Sequence, residues 1–476
     1  MNHKQAWKCV QEIVLVNCRS RLCQVAVLLV LFAMAALPDA SAQGDYSAPD
    51  QNPIGIQPAY PGEPSNKPPV ETTLGPAKLR VYGTVLLNAS FTDSDEVGQD
   101  VPLWPFPSSV NVTFPDGSTQ RAGLIHDTTF SARQSVFGVV LNQADPPTNG
   151  WNTSALAEFD FFGTTPVDTL LPQDRVLNQP RLRKAYFQLQ KGHFKLILGQ
   201  DDILISPMDP ISLSHVAYPL GYSAGDLFGW LPQARVEYDH GFGNTTMLLQ
   251  FGLLRPAFGD ARLGDQPPVN ITVNTSSGLG ERASQPFYQA RVAFSRPMHG
   301  SKATLGLAGH YGQERIGAHR TLDSWAFALD LSMPIVPNRL ILRGEAYVGS
   351  NLVPFGGGIL QGVAAVPTTA PFTTFHKVGD VGGWPELTFI ATKKDVFYAG
   401  ISADEPVRHD LLPGSTRVKN AVMWASYFRK LTAGTTASLE YSNWDFQTTT
   451  FAGNTPAARG ATGRGNVINV ALAYQF

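Results

Sequence analysis

At 476 residues, with 38 acidic against 36 basic side chains and a formal charge of −2, the chain lacks the basic excess that nucleic-acid binding requires. Only 16% of residues are charged, below the ~25% usual in soluble domains. The 44 glycines and 36 prolines favour many turns over long helices. Cys9, Cys18 and Cys23 all lie near the start, so nothing after them offers a disulfide or a thiolate metal site.

Residues 1–42 read as a secretory signal peptide. Lys4, Lys8, Arg19 and Arg21 form a basic region, Val25 to Leu37 an apolar core, and Ala40-Ser41-Ala42 a small-x-small cleavage site. The apolar run is too short for the ~20 residues a spanning helix needs. Without residues 1–42 the chain carries a net −4. Residues 43–77 form a linker: Gln43 to Pro76 holds eight prolines among Gly, Ser and Asn, too few apolar groups to fold alone. An extended or disordered periplasmic spacer fits this composition.

From residue 78 to 476 the texture changes to segments of about ten residues in which apolar and polar side chains alternate, as on a strand with two unlike faces. Leu79, Val81, Val85, Leu87 and Phe91 make the first stripe. Phe159 and Phe161, Phe187 and Leu189, Val236 and Tyr238, and Leu249, Phe251 and Leu253 follow. Further stripes run through Val292, Leu307, Phe327, Leu342, Phe389, Ile401 and Leu439 to the closing Ile468, Val470, Leu472, Tyr474 and Phe476. Val136–Leu141 and Ala421–Phe428 predict strands of unclear parity. The count is about sixteen. Tight links at 190–193, 392–395 and 431–434 alternate with long stretches at 92–120, 254–284, 351–383, 403–417 and 446–463. Short turns at one end and long loops at the other mark an all-β, transmembrane, up-and-down antiparallel β-barrel.

Charges occupy the parity opposite to the apolar stripes. Lys184, Lys195, Arg235, Arg291 and Arg343, with Glu158, Asp160, Glu237, Asp239, Asp330, Glu345, Glu386 and Glu440, are therefore expected to line a channel. The acidic members outnumber the basic ones, which hints at weak cation preference. A charge at the lipid midplane costs roughly 2–4 kcal/mol, which drives this sorting. Sixteen strands enclose water unless a loop obstructs them. The stretch from Ile203 to Leu231 is unusually apolar and is expected to fold inward as a constriction loop, with Met208, Asp209, His215, Tyr218, Tyr222 and Asp226 on it. Covering a subunit interface is the rival reading.

Enzyme signatures are weak. Gly221-Tyr222-Ser223-Ala224-Gly225 matches the G-x-S-x-G pattern, but no strand precedes the serine and no amphipathic helix follows it. Asp93-Ser94-Asp95-Glu96 clusters acidic oxygens without the ring of spaced ligands that calcium loops use. Histidines show no zinc spacing. No catalytic residue, cofactor or metal site is assigned.

Four stretches carry a resemblance: Leu79-Arg80-Val81-Tyr82-Gly83; Pro180 to Tyr186 ahead of Leu198-Gly199-Gln200; Gly382 to Leu387 through Lys393-Lys394 to Asp404-Glu405-Pro406; and Tyr474-Gln475-Phe476. With these in order along residues 79–476, the chain resembles bacterial outer-membrane general porins, most closely the DcaP-like porins. The resemblance implies a sixteen-stranded channel, a homotrimer, in the outer membrane of a diderm bacterium. Its surroundings would be outer-membrane lipid and its cargo small hydrophilic solutes or ions that diffuse passively. Tyr474 and Phe476 would be read by the barrel-assembly machinery. The amino-terminal segment is Pro-rich where that family can carry a coiled coil. A second expectation is a barrel that acts as an enzyme or adhesin through its surface loops, and a third is an anchor to peptidoglycan through residues 43–76.

Overall fold

The computed structural model describes residues 71–75, 77–98, 100–143, 149–163, 179–258, 278–368 and 371–476. The expected signal peptide and most of the expected linker lie outside them. Among the described residues, sixteen antiparallel strands close into one barrel. They are β1 (Ala77–Thr92), β2 (Val136–Gln143), β3 (Asn152–Gly163) and β4 (Gln179–Lys191). Next come β5 (Phe194–Asp202), β6 (Trp230–Phe242), β7 (Thr245–Leu254) and β8 (Phe287–Met298). Then β9 (Ser301–Gly317), β10 (Arg320–Val336), β11 (Leu340–Ser350) and β12 (Gly379–Ile390) continue the wall. It ends with β13 (Asp395–Pro406), β14 (Arg417–Lys430), β15 (Thr435–Ala452) and β16 (Thr455–Gln475). No helix is long and apolar enough to cross a membrane among the described residues, which says nothing of strands.

The seam is closed by the last strand, β16, which ends at Gln475. Residues Val467–Gln475 of β16 pair with Thr92–Thr84 of β1. On its other edge β1 pairs with β2 along Ala77–Thr84 and with the short strand Asp127–Ser131 along Asn88–Thr92. Below the end of β16, Glu71–Leu74 pairs with Ala77–Arg80 and covers the remaining edge of β1. The last residues of the expected linker therefore belong to the sheet.

Period two sets the faces. Val85, Leu87, Leu249, Leu307, Phe327, Ile401, Val470 and Leu472 point outward and are exposed. This is the apolar band a hydrocarbon layer demands. Phe194, Phe242, Phe389, Phe397, Tyr474 and Phe476 lie exposed beside the short turns, where an aromatic girdle belongs.

Two sequence-based expectations change. The stretch 446–463 is not a long loop: β15 and β16 run through it and turn at Gly453, whose φ of +59° suits glycine. The unclear parity of 421–428 has a packing cause. In β14, Val422, Trp424 and Phe428 point into the barrel, while Met423 points out. Both faces are apolar because something apolar fills part of the lumen.

Candidate functional site: a lumen narrowed by folded-in loops

That filling is the connection between β5 and β6. Ile203, Leu204, Ile205, Ile211, Leu213, Leu220 and Leu227 are all buried, each worth about 1.5–3 kcal/mol of apolar burial. Ile211 and Leu213 pack on Leu86, Val396, Tyr398 and Phe428. Leu220 and Ala224 pack on Trp384, Val422, Trp424 and Trp444. The inner wall from β12 round to β1 is thus an apolar cradle, and the loop is its cover.

Polar wall residues hold the loop's backbone. Glu345 accepts from Met208 N at 2.8 Å and from the Ser206 hydroxyl; Glu386 accepts from Ile211 N at 3.0 Å. Gln134, at the break between Ser131 and Val136, accepts from Val216 N at 2.8 Å and Ala217 N at 3.0 Å, and donates to Ser214 O at 2.8 Å. Asn420 donates to Ser223 O at 3.0 Å. Loops inside a protein need such partners, because unpaired backbone groups away from water are costly.

A second connection also folds in, unforeseen from sequence. Between β11 and β12, Leu352 and Phe355 are buried against Ile203, Ile205 and Leu227. Its turn is left-handed, with φ of +67° at Gly358, +50° at Ile359 and +58° at Leu360. A β-branched residue there is strained. The strain is offset by acceptors: Gly358 N donates to Asp380 at 2.6 Å, Ile359 N to Asp404 at 3.0 Å, and Tyr347 OH to both carboxyls.

Charged residues gather on the facing wall. In β3 and β4, Arg183 meets Glu158 at 2.8 Å and Asp160 at 3.3 Å, and Arg181 meets Asp160 at 2.6 Å. A bulge between Leu182 and Lys184 turns both Arg183 and Lys184 inward. Lys184 pairs with Asp202, Arg235 with Asp201 at 2.6 Å and Glu237 at 2.9 Å, and Lys195 with Glu237 at 3.1 Å. Arg291 and Asp330 pair at 2.7 Å, Arg343 and Glu386 at 3.6 Å. Asp209, half-buried on the constriction loop, faces this cluster: Asp202, Lys184, Arg183 and Arg343 all act on it. Burial, then the Asp202 charge, pushes Asp209 up to about 7 against the pull of the three cations.

Three arginines escaped the sequence reading: Arg133, Arg181 and Arg183. Arg133 stacks over Phe162 at 3.8 Å, Arg181 over Tyr218 at 4.6 Å, and Arg183 over Trp230 at 4.5 Å. Arg181 and Arg183 also donate to Ala217 O and Val216 O at 2.8 Å each. Arg181 lies two residues before Arg183 on one strand, a visible signal, but the bulge hides its parity.

The predicted site residues therefore divide. Glu158, Asp160, Lys184, Lys195, Arg235, Glu237, Arg291, Asp330 and Arg343 stand on the inner face in ion pairs. Glu345, Glu386 and Glu440 stand there too: Glu345 and Glu386 accept from loop N–H groups, and Glu440 accepts from Ser426 Oγ at 2.9 Å on the wall and lies 3.5 Å from His215 of the loop. Asp239 lies at the short-turn rim, half exposed, with His193 at 2.9 Å. On the loop, Met208, Asp209, Tyr218 and Tyr222 are half-buried. His215 and Asp226 face the wall rather than open space: His215 approaches Glu440 at 3.5 Å and Asp226 accepts from Trp384 Nε1 at 2.9 Å. Burial pushes His215 down to about 3, so it is neutral there. Ser223 is buried with φ of +60° and has no strand before it or helix after it. Among the described residues no three His, Cys, Asp or Glu side chains form a metal-binding group.

No family model and no curated protein matches the chain. Among solved structures, the outer membrane channel DcaP of Acinetobacter baumannii aligns over 85% of this chain and 99% of its own, with a TM-score of 0.58 at 14% identity. The chain has the fold of that channel. An anion-selective porin from Comamonas acidovorans (84% and 100% covered, 12% identity, TM-score 0.49) and OmpT of Vibrio cholerae (85% and 100%, 10%, 0.47) align less well.

Proposed function

We propose that the chain is an outer-membrane channel of a diderm bacterium for passive diffusion of small hydrophilic solutes and ions. The observation that carries this reading is the opposition of faces. An apolar band points outward, paired charges point inward, and two connections fold into the lumen while Asp209 and Lys195 stay partly exposed. Charges placed on both sides of a narrow passage filter ions by electrostatics. The long-loop rim faces the exterior and the short turns the periplasm, as in other barrels of this kind. The channel-lining set comprises the ion-paired residues of β3 to β11 and the aromatic-stacked Arg133, Arg181 and Arg183, with Asp209 facing them from the loop.

The reading extends to a signal peptide at 1–42, a periplasmic linker after it, a homotrimer, no enzymatic activity, and recognition of Tyr474 and Phe476 by the barrel-assembly machinery. Purified protein in planar bilayers tests the central claim: discrete conductance steps are expected, in threes for a trimer. Protein that is folded and inserted yet passes no current overturns it.

A further inference from the structure

The first long-loop connection, 93–126, leaves a small cavity against the inner wall at the long-loop rim. Ser90 and Thr92 of β1, Glu96 of the loop, and Asp127 and Thr129 of the short strand Asp127–Ser131 line it, and its volume is about 10 Å³. That is room for one water-sized species. Ser90 is 4% exposed, and its hydroxyl has no hydrogen-bond partner. The Thr92 and Ser94 hydroxyls and both carboxylate oxygens of Glu96 are equally buried and unpaired. The large majority of buried side-chain polar atoms in native proteins are paired, through protein or ordered water, and an unpaired one calls for an explanation such as an unseen water or ion.

The charge around the cavity has one sign. Asp93, Asp127 and Asp95 all act on Glu96. The Ser94 hydroxyl lies beside the Glu96 carboxyl and favours its charged form. Asp93 is already occupied, accepting from Asn466 N at 2.7 Å and Asn466 Nδ2 at 2.6 Å. The free donors are thus two carboxylates, Glu96 and Asp127, and the hydroxyls of Ser90, Thr92 and Thr129. All are oxygens, which suit a hard cation; zinc takes nitrogen and sulfur by preference. Magnesium keeps several of its waters and demands octahedral geometry, for which a one-water cavity has no room. Calcium accepts carboxylates and neutral oxygens in flexible geometry.

We propose that Glu96 and Asp127, with Ser90, Thr92 and Thr129, bind one calcium ion that pins the first long loop to the barrel wall. The run Asp93-Ser94-Asp95-Glu96 alone lacks ligands for this; the fold supplies them from β1 and from Asp127–Ser131. The strand pair that carries Glu96 also holds Trp104, opposite Val97, so a bound terbium ion would be sensitised by an indole nearby.

The test uses the full-length protein in detergent, stripped by a chelator and titrated first with terbium and then with calcium as competitor. Amide exchange of 93–126 is followed in parallel. Wild type is expected to show one saturable site with a Kd at or below ~1 mM, the range of extracellular calcium modules. Calcium should slow exchange in 93–126. Glu96→Gln and Asp127→Asn should each weaken binding at least tenfold and abolish the slowing, whereas Asp239→Asn, at the other rim, should change neither. If Glu96→Gln assembles poorly, Ser90→Ala serves in its place, with a weaker loss in the same direction. No saturable binding by 10 mM calcium, or equal binding by Glu96→Gln and wild type, overturns the proposal. So does calcium-independent exchange, the outcome expected if the cavity holds a water beside a protonated Glu96.

Discussion

Glu345 offers the sharpest test of the idea that the loop between β5 and β6 sets the passage. Its carboxyl accepts from Met208 N at 2.8 Å and from the Ser206 hydroxyl, on the approach to Asp209. Glu345→Ala removes both acceptors and leaves two donors unpaired in a buried place. At about 1–3 kcal/mol for each unsatisfied donor, the anchored state loses roughly 2–6 kcal/mol. Even the lower figure shifts a two-state equilibrium about 30-fold. The apolar cradle around Ile211, Leu213 and Leu220 is untouched, so the barrel should still assemble and only the Ser206–Asp209 segment should loosen. Single-channel recording is the assay: open-state noise should rise and mean conductance should increase as the segment leaves the lumen. The same substitution at Glu314, which bonds Asn351 at 2.7 Å and does not touch the Ser206–Asp209 segment, should leave noise unchanged. Noise and conductance in Glu345→Ala that match wild type would refute the assignment of Ser206–Asp209 to the constriction.

Other outcomes follow from the same geometry. Asp209 is pushed up to about 7, so it is neutral below that pH and charged above it. Raising pH from 6 to 8 should move the reversal potential in a salt gradient toward cation preference, and Asp209→Asn should remove that pH dependence. Val470→Arg places a charge on the outward band at a cost of roughly 2–4 kcal/mol, which a drop in folded yield in lipid vesicles would report. Removal of Phe476 should cut assembly in cells far more than it alters the conductance of the channels that do form. Ser223→Ala should leave conductance intact; loss of any hydrolytic activity in that variant would favour an enzyme instead.

The barrel was legible because lipid imposes a rule that can be read residue by residue. Val470 and Leu472 must face out and Asn469 in, and a two-residue period records this without knowledge of any partner strand. Where the rule breaks, the reason is tertiary. Trp424 and Phe428 are apolar yet inward, because Leu220, Ala224, Ile211 and Leu213 arrive from a loop some two hundred residues earlier in the chain. The bulge at Leu182/Lys184 turns two consecutive basic residues inward, which no strict alternation anticipates. The strand pair across 446–463 was hidden because its residues are small and polar, as loop residues are; pairing with neighbours, not apolar burial, makes it a strand.

Alternation, aromatic placement and the spacing of tight turns by themselves pointed to a closed barrel of about sixteen strands and its outward face, and to an apolar stretch at 203–231 that either folds inward or covers a subunit interface. Only the tertiary structure decided which loop residues meet the passage and which meet the wall. Asp209 and Tyr218 stay half open, whereas His215 and Asp226 turn to Glu440 and Trp384. A loop's orientation depends on acceptors and cavities contributed by distant strands, and those come together only when the sheet closes. Lipid acts on each residue locally; the lumen is a property of the whole ring.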